Sequence, residues 1–512
     1  MPLVGGKVYL TVTENPDDEV SVSAEVIRLE RNASHPQAAL MLTENLREWK
    51  RRFGKSPESQ SRLRNRNHWM IGKIRQTIEA KIEQSGRRVY PASFLCQTKS
   101  GGKPAFPTVL RIINSDLLIL KTNRVSNSAR TMKILVLGAG RMGHGAVFDL
   151  MRNSRDVERV TVADFDLPKA EAVADAVDGR RVDTRQIDAS NYADVVGLMR
   201  GHDSVISCVN YWYNASLSKA AIETGANFCD LGGNNYIVDE QLALDAEAKA
   251  AGINIIPDCG LAPGMVSVLA MHGAAKFDQV AEIHIRVGGL PQNPQPPLNY
   301  QLVFSVEGLI NEYIEEARVV RNGEIANVKS MTEIESLEFD AFPPLEAFQT
   351  SGGTSTLPDT FLGKIRELDY KTIRYAGHCE KFKTMIDLGL CSSDEMVVDF
   401  QKVNPRKVFG ELLQKHLPAD GPDYVLVRLD FVGHSEGQIK RLRYDIVDKY
   451  DDQAGMSAMM RTTAFPASII AQMMAQGNVL ARGATPQEKA IDPEKFVAEL
   501  ERRNIQIKDS WI

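Results

Sequence analysis

From residue 132 onward, short apolar runs alternate with stretches whose apolar residues recur at helical spacing. The runs 134–137, 159–163, 182–187, 204–208, 227–231 and 253–257 read as strands, too short for helices and rich in Val, Ile and Leu. Between them, 142–153, 167–177, 192–199, 215–223 and 240–251 read as helices. Strict strand–helix alternation predicts an α/β fold, a doubly wound parallel sheet covered on both faces. Beyond Gly260 the pattern changes. Residues 281–287 alternate apolar and polar, as do 424–432 and 439–447, and 319–328 contains Asn322-Gly323, a strong hairpin signal. These predict a second, α+β domain on a mostly antiparallel sheet. Residues 407–416 follow Pro405, which suits a first helical turn. The Met- and Ala-rich helix 457–475 lies past the last strand and is expected to return to the first domain. The expected domains are 1–131, 132–262, 263–452 and 453–512.

Residues 1–131 are harder to place. They hold 22 Lys and Arg against 12 Asp and Glu, a net of +10, while the whole chain is −5. This shift is the sharpest compositional boundary. Residues 20–29 alternate like a strand and 65–84 have helical character. The basic stretch Arg47, Lys50, Arg51, Arg52, Arg62, Arg64 and Arg66, with Trp49 and Phe53, suggests a nucleic-acid patch. A solvated segment is the simpler reading, and Met132, which opens the first clear strand, is a third reading as the natural start. Hydrophobic residues at 43% and charged residues at 25% are ordinary for a globular chain. No apolar run reaches membrane-span length, and no apolar signal core follows Met1, so a cytoplasmic location is expected. The six cysteines (Cys96, Cys208, Cys229, Cys259, Cys379, Cys391) show no Cys-x-x-Cys spacing. Reduced thiols and no metal are the expectation.

The clearest motif is Gly138-Ala139-Gly140-Arg141-Met142-Gly143, between the first strand and its helix. Glycines at these positions permit the turn, the approach of a pyrophosphate and close helix–strand packing, so this is a Rossmann fingerprint. Exposed amides and the helix dipole favour the phosphates. Asp164 ends the second strand, where a carboxylate accepts from ribose hydroxyls and repels a 2′-phosphate. Lys169 is the first base after it along the chain, so NAD is favoured over NADP. A helix cap is the alternative role, for which Asp166 is better placed. Ligands of such sheets lie at the carboxyl ends of the strands, which here carry Asp188, Asn210, Tyr211, Asp230, Gly232, Gly233 and Asp258.

At Pro257-Asp258-Cys259-Gly260-Leu261-Ala262-Pro263-Gly264-Met265 the chain begins to resemble the saccharopine dehydrogenase superfamily. Val287-Gly288-Gly289-Leu290-Pro291, the segment from Val303 to Leu309, Leu345-Glu346-Ala347-Phe348, the segment from Thr350 to Thr356 and Tyr370-Lys371-Thr372-Ile373-Arg374-Tyr375 are similar to its lysine 6-dehydrogenase branch. The resemblance runs from Met132 to about Gly483. It implies an NAD-dependent amino-acid dehydrogenase that oxidises L-lysine at the ε-carbon, giving a semialdehyde that cyclises. It also implies a cleft between two domains and a homodimer or homotetramer.

Hydride loss from an amine-bearing carbon needs a neutral amine, hence a nearby base. His378, which follows the Tyr370–Tyr375 segment, titrates in the right range; a structural histidine is the alternative. Asp258 at its strand end is a candidate ammonium ligand or a turn cap, and Lys371 a further acid–base candidate. Arg374 is the candidate for the substrate carboxylate, with Thr350, Ser351 and Thr354 as donors and Tyr211 nearby. Two other readings stand. A saccharopine or carboxynorspermidine type dehydrogenase would need a second carboxylate site, for which Arg286 and Arg318 are the available bases. A dinucleotide-binding sensor without turnover belongs to a different class.

Overall fold

The computed structural model describes residues 131–512, positions 178 and 304 excepted, together with the backbone of four strands before them. The chain divides into two units, 1–129 and 130–512. In the first unit, β1 (Lys7–Thr13), β2 (Glu19–Glu30) and β3 (Gln37–Leu42) pair antiparallel, and β4 (Ser93–Gln97) joins β3 in parallel. β2 spans the alternating 20–29 segment. The helical reading of 65–84 and the basic stretch 47–66 lie outside the described residues.

The second unit opens with a seven-stranded sheet. β5 (Met132–Leu137), β6 (Val157–Asp164), β7 (Val182–Gln186), β8 (Ser204–Ser207), β9 (Asn227–Asp230) and β10 (Asn254–Ile256) are all parallel. With β21 (Gly483–Ala484) at the edge, the spatial order is β21-β10-β9-β8-β5-β6-β7. The chain thus reverses direction across the sheet beside β5, leaving a crevice at the carboxyl ends where ligands bind. Both faces are covered, and β8 is buried along its whole length, whereas the edge strand β7 is mostly polar and only partly buried. Ile134 and Val136 enter one core cluster and Leu135 and Leu137 the other, as a period of two requires.

Part of one face is covered from far along the chain. The helix Ala458–Ala475 lies against the helix Arg141–Asn153, with Gly145 too close to Ala464 for a side chain. The Ser204 hydroxyl donates to the Ala471 carbonyl at 2.9 Å. Asp149 and Arg503, both buried, pair at 2.7 Å. This clasp joins the first and last parts of the unit, and removing one member would strand a buried charge.

The second sheet runs β13-β12-β16-β11-β19-β20-β22, from β11 (Gln279–Pro291), β12 (Ala317–Arg321), β13 (Glu324–Val328), β16 (Glu367–Tyr375), β19 (Asp423–Ser435), β20 (Gln438–Lys449) and β22 (Lys508–Trp511). β14 (Glu335–Leu337) and β15 (Leu345–Gln349) extend it beside β16. Only β11 and β16 pair in parallel. A separate ribbon joins β17 (Met396–Val398) and β18 (Gln401–Val403). The β12–β13 turn sits at Asn322-Gly323, both left-handed, as the sequence signal requires.

Alternation along β16 puts Asp369 and Lys371 on one face and Tyr370, Thr372 and Arg374 on the other. On the first face His284, Arg286 and Gln349 converge on Asp369, and Arg286 and Lys371 on Glu335. Burial pulls the His284 pKa down, but its bond and charge interaction with Asp369 win and raise it. A raised folded pKa means the stabilisation is complete below about pH 6.5 and is lost as pH rises through the folded value. The stability gap between wild type and His284→Gln should therefore be larger near about pH 5.5 than near about pH 9. Equal gaps in thermal melts at the two pH values would remove His284 from this account.

Candidate active site

The turn after β5 has the shape a pyrophosphate needs. Gly138 adopts φ +98, and a Cβ there would meet the Cys208 carbonyl oxygen at 2.8 Å. A Cβ on Gly143 would meet the Gly138 carbonyl, whereas one on Gly140 meets nothing within 4 Å. So two glycines are forced by packing and one borders open space. The helix Arg141–Asn153 has no capping side chain and no acid in its first turn. Its first intrahelical donor is His144, to the Gly140 carbonyl, which leaves the amides of Arg141, Met142 and Gly143 pointing out of the helix start. This fits the diphosphate of a dinucleotide. Ala139 lends its amide to Asp164 Oδ2 at 2.6 Å, tying the turn to the end of β6.

Asp164 is thus already engaged, because Oδ1 also accepts from the Asp166 amide at 2.9 Å. Each oxygen keeps a second lone pair for a ribose hydroxyl. Asp166 stands at the N-cap position of the next helix, but its side chain makes no capping bond. Beside Asp164 opens a cavity of about 540 Å³ lined by Phe165, Arg185, Gln186, Asp188 and Leu198 among others. Arg185 is a base that chain order concealed: β7 brings it opposite Ala163. Asp188 holds the Ser190 amide and hydroxyl at the cavity wall.

At the other end, β9 and β10 deliver buried carboxylates. Asp230 accepts from the amides of Gly232 at 2.8 Å and Asp258 at 3.3 Å, and from Gln241 Nε2 at 2.7 Å. Asp258 is held in the left-handed region at φ 61, a costly conformation for a non-glycine residue and one found at functional sites. Its Oδ2 accepts from the hydroxyl of Ser355 in the second domain. Gly232 must lack a side chain because Asp258 Oδ1 occupies the place of its Cβ. Burial first, then the Asp230 charge, pushes Asp258 up to about 8. Glu488, also buried and raised by burial, accepts from Thr356 and Thr360. Asn210 is exposed at the end of β8, and Tyr211 packs on Gly233.

The second domain supplies the facing wall. Arg141 crosses to it, donating to the Leu302 carbonyl at 3.2 Å. Arg374 is 3% exposed, with its guanidinium over the rings of Tyr300 and Tyr313, and it donates to the Tyr313 hydroxyl and its neighbour's carbonyl. Among the described residues it makes no ion pair. The Tyr300 hydroxyl beside it is buried without a well-aligned partner. Thr350 meets the Thr372 hydroxyl at 2.7 Å, and Thr372 donates to Glu312 at 2.6 Å.

Several expected donors and bases are spent inside the fold. Ser351 and Thr354 give their hydroxyls to the carbonyls of Asn311 and Arg318, so they shape the turn instead of offering donors. His378 is wholly buried: Nε2 meets the Tyr313 hydroxyl at 3.1 Å and Nδ1 the Leu298 carbonyl at 3.0 Å. Burial, then the Arg374 charge, holds it down to about 3, so it is a neutral structural histidine and not a base. Lys371 lies on the opposite sheet face from Arg374, paired with Glu335. Arg286 is in that same network, while Arg318 pairs with Asp359 at the rim of a cavity of about 1040 Å³ that Asn234, Thr356 and Lys489 also line. Sequence reasoning missed Ser355, Glu488, Glu312 and Tyr300. Ser355 lay within the quoted 350–356 segment; the others carry no local signal.

Two family models match this chain: the saccharopine dehydrogenase NADP binding domain over residues 134–256 and the saccharopine dehydrogenase C-terminal domain over 260–505. The mitochondrial alpha-aminoadipic semialdehyde synthase of Rattus norvegicus is 24% identical over 422 residues, covering 69% of this chain and 45% of that protein. The saccharopine dehydrogenase [NADP(+), L-glutamate-forming] of Schizosaccharomyces pombe is 25% identical over 265 residues, 50% of this chain and 57% of that one. The chain thus spans about half the length of these curated relatives. Among solved structures, apo saccharopine dehydrogenase (L-Glu forming) from Saccharomyces cerevisiae superposes with a TM-score of 0.63 at 18% identity, covering 74% of this chain and all of that one. Homospermidine synthase from Legionella pneumophila, in complex with NAD, gives 0.54 at 12% identity over 74% and 91%. The two models together take in the glycine turn, most of both sheets and the Arg374 strand, and the chain belongs to the saccharopine dehydrogenase family.

Proposed function

We propose that this chain is a nicotinamide-dependent dehydrogenase that oxidises the amine-bearing ε-carbon of L-lysine. The observation that carries the reading is Asp258, a buried carboxylate of nearly neutral pKa at the carboxyl edge of the dinucleotide sheet, bonded to Ser355 of the facing domain. A bound nicotinamide would supply the hydride acceptor. Asp258 takes the proton from the substrate ammonium, freeing the lone pair that the departing hydride requires. An ammonium near 10.4 and an acid near 8 differ by about 2.4 units, roughly 3 kcal/mol. An ordinary carboxylate near 3.9 would face roughly 9 kcal/mol, so burial of Asp258 removes most of that barrier. Arg374 with Tyr300 holds the substrate carboxylate, the counter-ion this guanidinium lacks among the described residues.

The test is a screen for NAD and NADP reduction across free amino acids and amines, with lysine expected to be the best substrate. A second reading rests on the cavity of about 1040 Å³, whose rim carries Arg318 and Lys489. It would admit a substrate with a second carboxylate, in keeping with relatives named saccharopine dehydrogenase. Turnover of saccharopine without turnover of lysine would select it.

Asp164 favours NAD, while Arg185 offers a charge for the 2′-phosphate of NADP. Asp164→Ser is expected to raise the NADP-to-NAD ratio of kcat/KM by roughly 10- to 100-fold. An unchanged ratio would take Asp164 out of cofactor choice.

A further inference from the structure

The helix Val306–Ile314 starts cleanly, with the Ser305 side chain accepting from the Gly308 amide, but it ends in an electrostatic conflict. Its last turn carries Glu312 and no basic residue, and Glu315 and Glu316 follow. Carboxylates are disfavoured at a helix C-terminus, where the backbone already presents negative charge. Among the described residues no cation pairs with Glu312. Its side chain is nevertheless held by Thr372, which donates to Oε1 at 2.6 Å, and its backbone carbonyl accepts from the Ser351 amide at 3.0 Å.

Two residues along β16, on the same face as Thr372, is Arg374, a buried cation that makes no ion pair among the described residues. The two charges are near enough to interact, yet they do not touch as an ion pair. A carboxylate positioned by the Thr350–Thr372 hydroxyls and a buried guanidinium on the same strand face, neither ion-paired among the described residues, match the two charges of an α-amino acid. From Thr350 the chain turns within five residues to Ser355, whose hydroxyl donates to Asp258.

We propose that Glu312 binds the α-ammonium of the substrate, forming with Arg374 a clamp for the zwitterionic end of an amino acid. The inference rests on the dehydrogenase reading above. It makes Glu312 the residue that separates amino acids from simple amines and from ω-amino carboxylates. It acts on substrate binding and leaves the cofactor untouched.

Glu312→Gln tests it, because the amide oxygen still accepts from Thr372 while the charge is gone. Lysine and 6-aminohexanoate, which lacks only the α-ammonium, are compared in wild type and variant. The variant should raise KM for lysine roughly 10- to 100-fold and leave KM for 6-aminohexanoate unchanged. Calorimetric titration of lysine into NADH-saturated protein should show the same loss in Kd without turnover. A variant with wild-type lysine KM and Kd overturns the proposal, as does equal weakening of both substrates. A wild type that reduces neither NAD nor NADP with any amine overturns the dehydrogenase reading itself, and lysine binding in the calorimeter then still reports on Glu312.

Discussion

Asp258→Asn should abolish most turnover, lowering kcat by about 10²- to 10⁴-fold while NADH binds as in wild type. The asparagine oxygen can still accept from Ser355, so the turn keeps its bond and only the proton acceptor is lost. In wild type the base must be ionised, so kcat/KM should climb as pH rises through about 8. That limb should vanish in the variant's residual activity. The variant should also be the more stable protein at neutral pH. A carboxyl raised in the folded state gives stability that is complete below its unfolded value near 3.9 and lost as pH rises through the folded value. Asparagine escapes that loss and relieves the repulsion from Asp230 and Glu488. Gain of stability with loss of activity is the signature of a group kept in an unfavourable place for chemistry. Activity within a few-fold of wild type would end Asp258's part in the reaction.

Gly143→Ala should be nearly as damaging, through the opposite effect: cofactor binding fails. The new Cβ would lie 1.8 Å from the Gly138 carbonyl oxygen, which no pair of non-bonded atoms tolerates. Either the helix Arg141–Asn153 moves off β5 or the turn opens, and both spoil the amides that meet the diphosphate. The turn is also tied to Asp164 through Ala139, so the shift would reach the ribose contact. Overpacking of this kind costs about 1–3 kcal/mol of stability. NADH affinity should fall more than 100-fold, about 2.7 kcal/mol or more. Gly140→Ala is the control: its Cβ meets no protein atom within 4 Å, so the fold should be unchanged and any effect confined to the ligand. Fluorescence titration with NADH and thermal melts of the two variants separate the cases. Wild-type affinity in Gly143→Ala would sink the account of this turn.

Local pattern made much of this molecule legible. The parallel strands, the glycine turn, Asp164 at its strand end and the Asn322-Gly323 hairpin each depend on residues close in sequence, whose spacing reports backbone geometry directly. Asp258 was also readable, as the residue closing a strand at the crevice. Tertiary structure decided the rest, because burial and partners come from segments far apart in the chain. His378 and Arg374 are four residues apart and looked alike as polar candidates. Folding buries His378 beside the Arg374 charge, which together keep it neutral, and leaves Arg374 without an ion pair among the described residues. Lys371 and Arg374 were separated by the two-residue period of β16 onto opposite faces. Glu312, Ser355 and Glu488 gain meaning only from contacts made 60, 97 and more than 120 residues away. The composition of a segment sets what it can form locally; which charge stays unpaired in the core is settled only when distant strands and helices close around it.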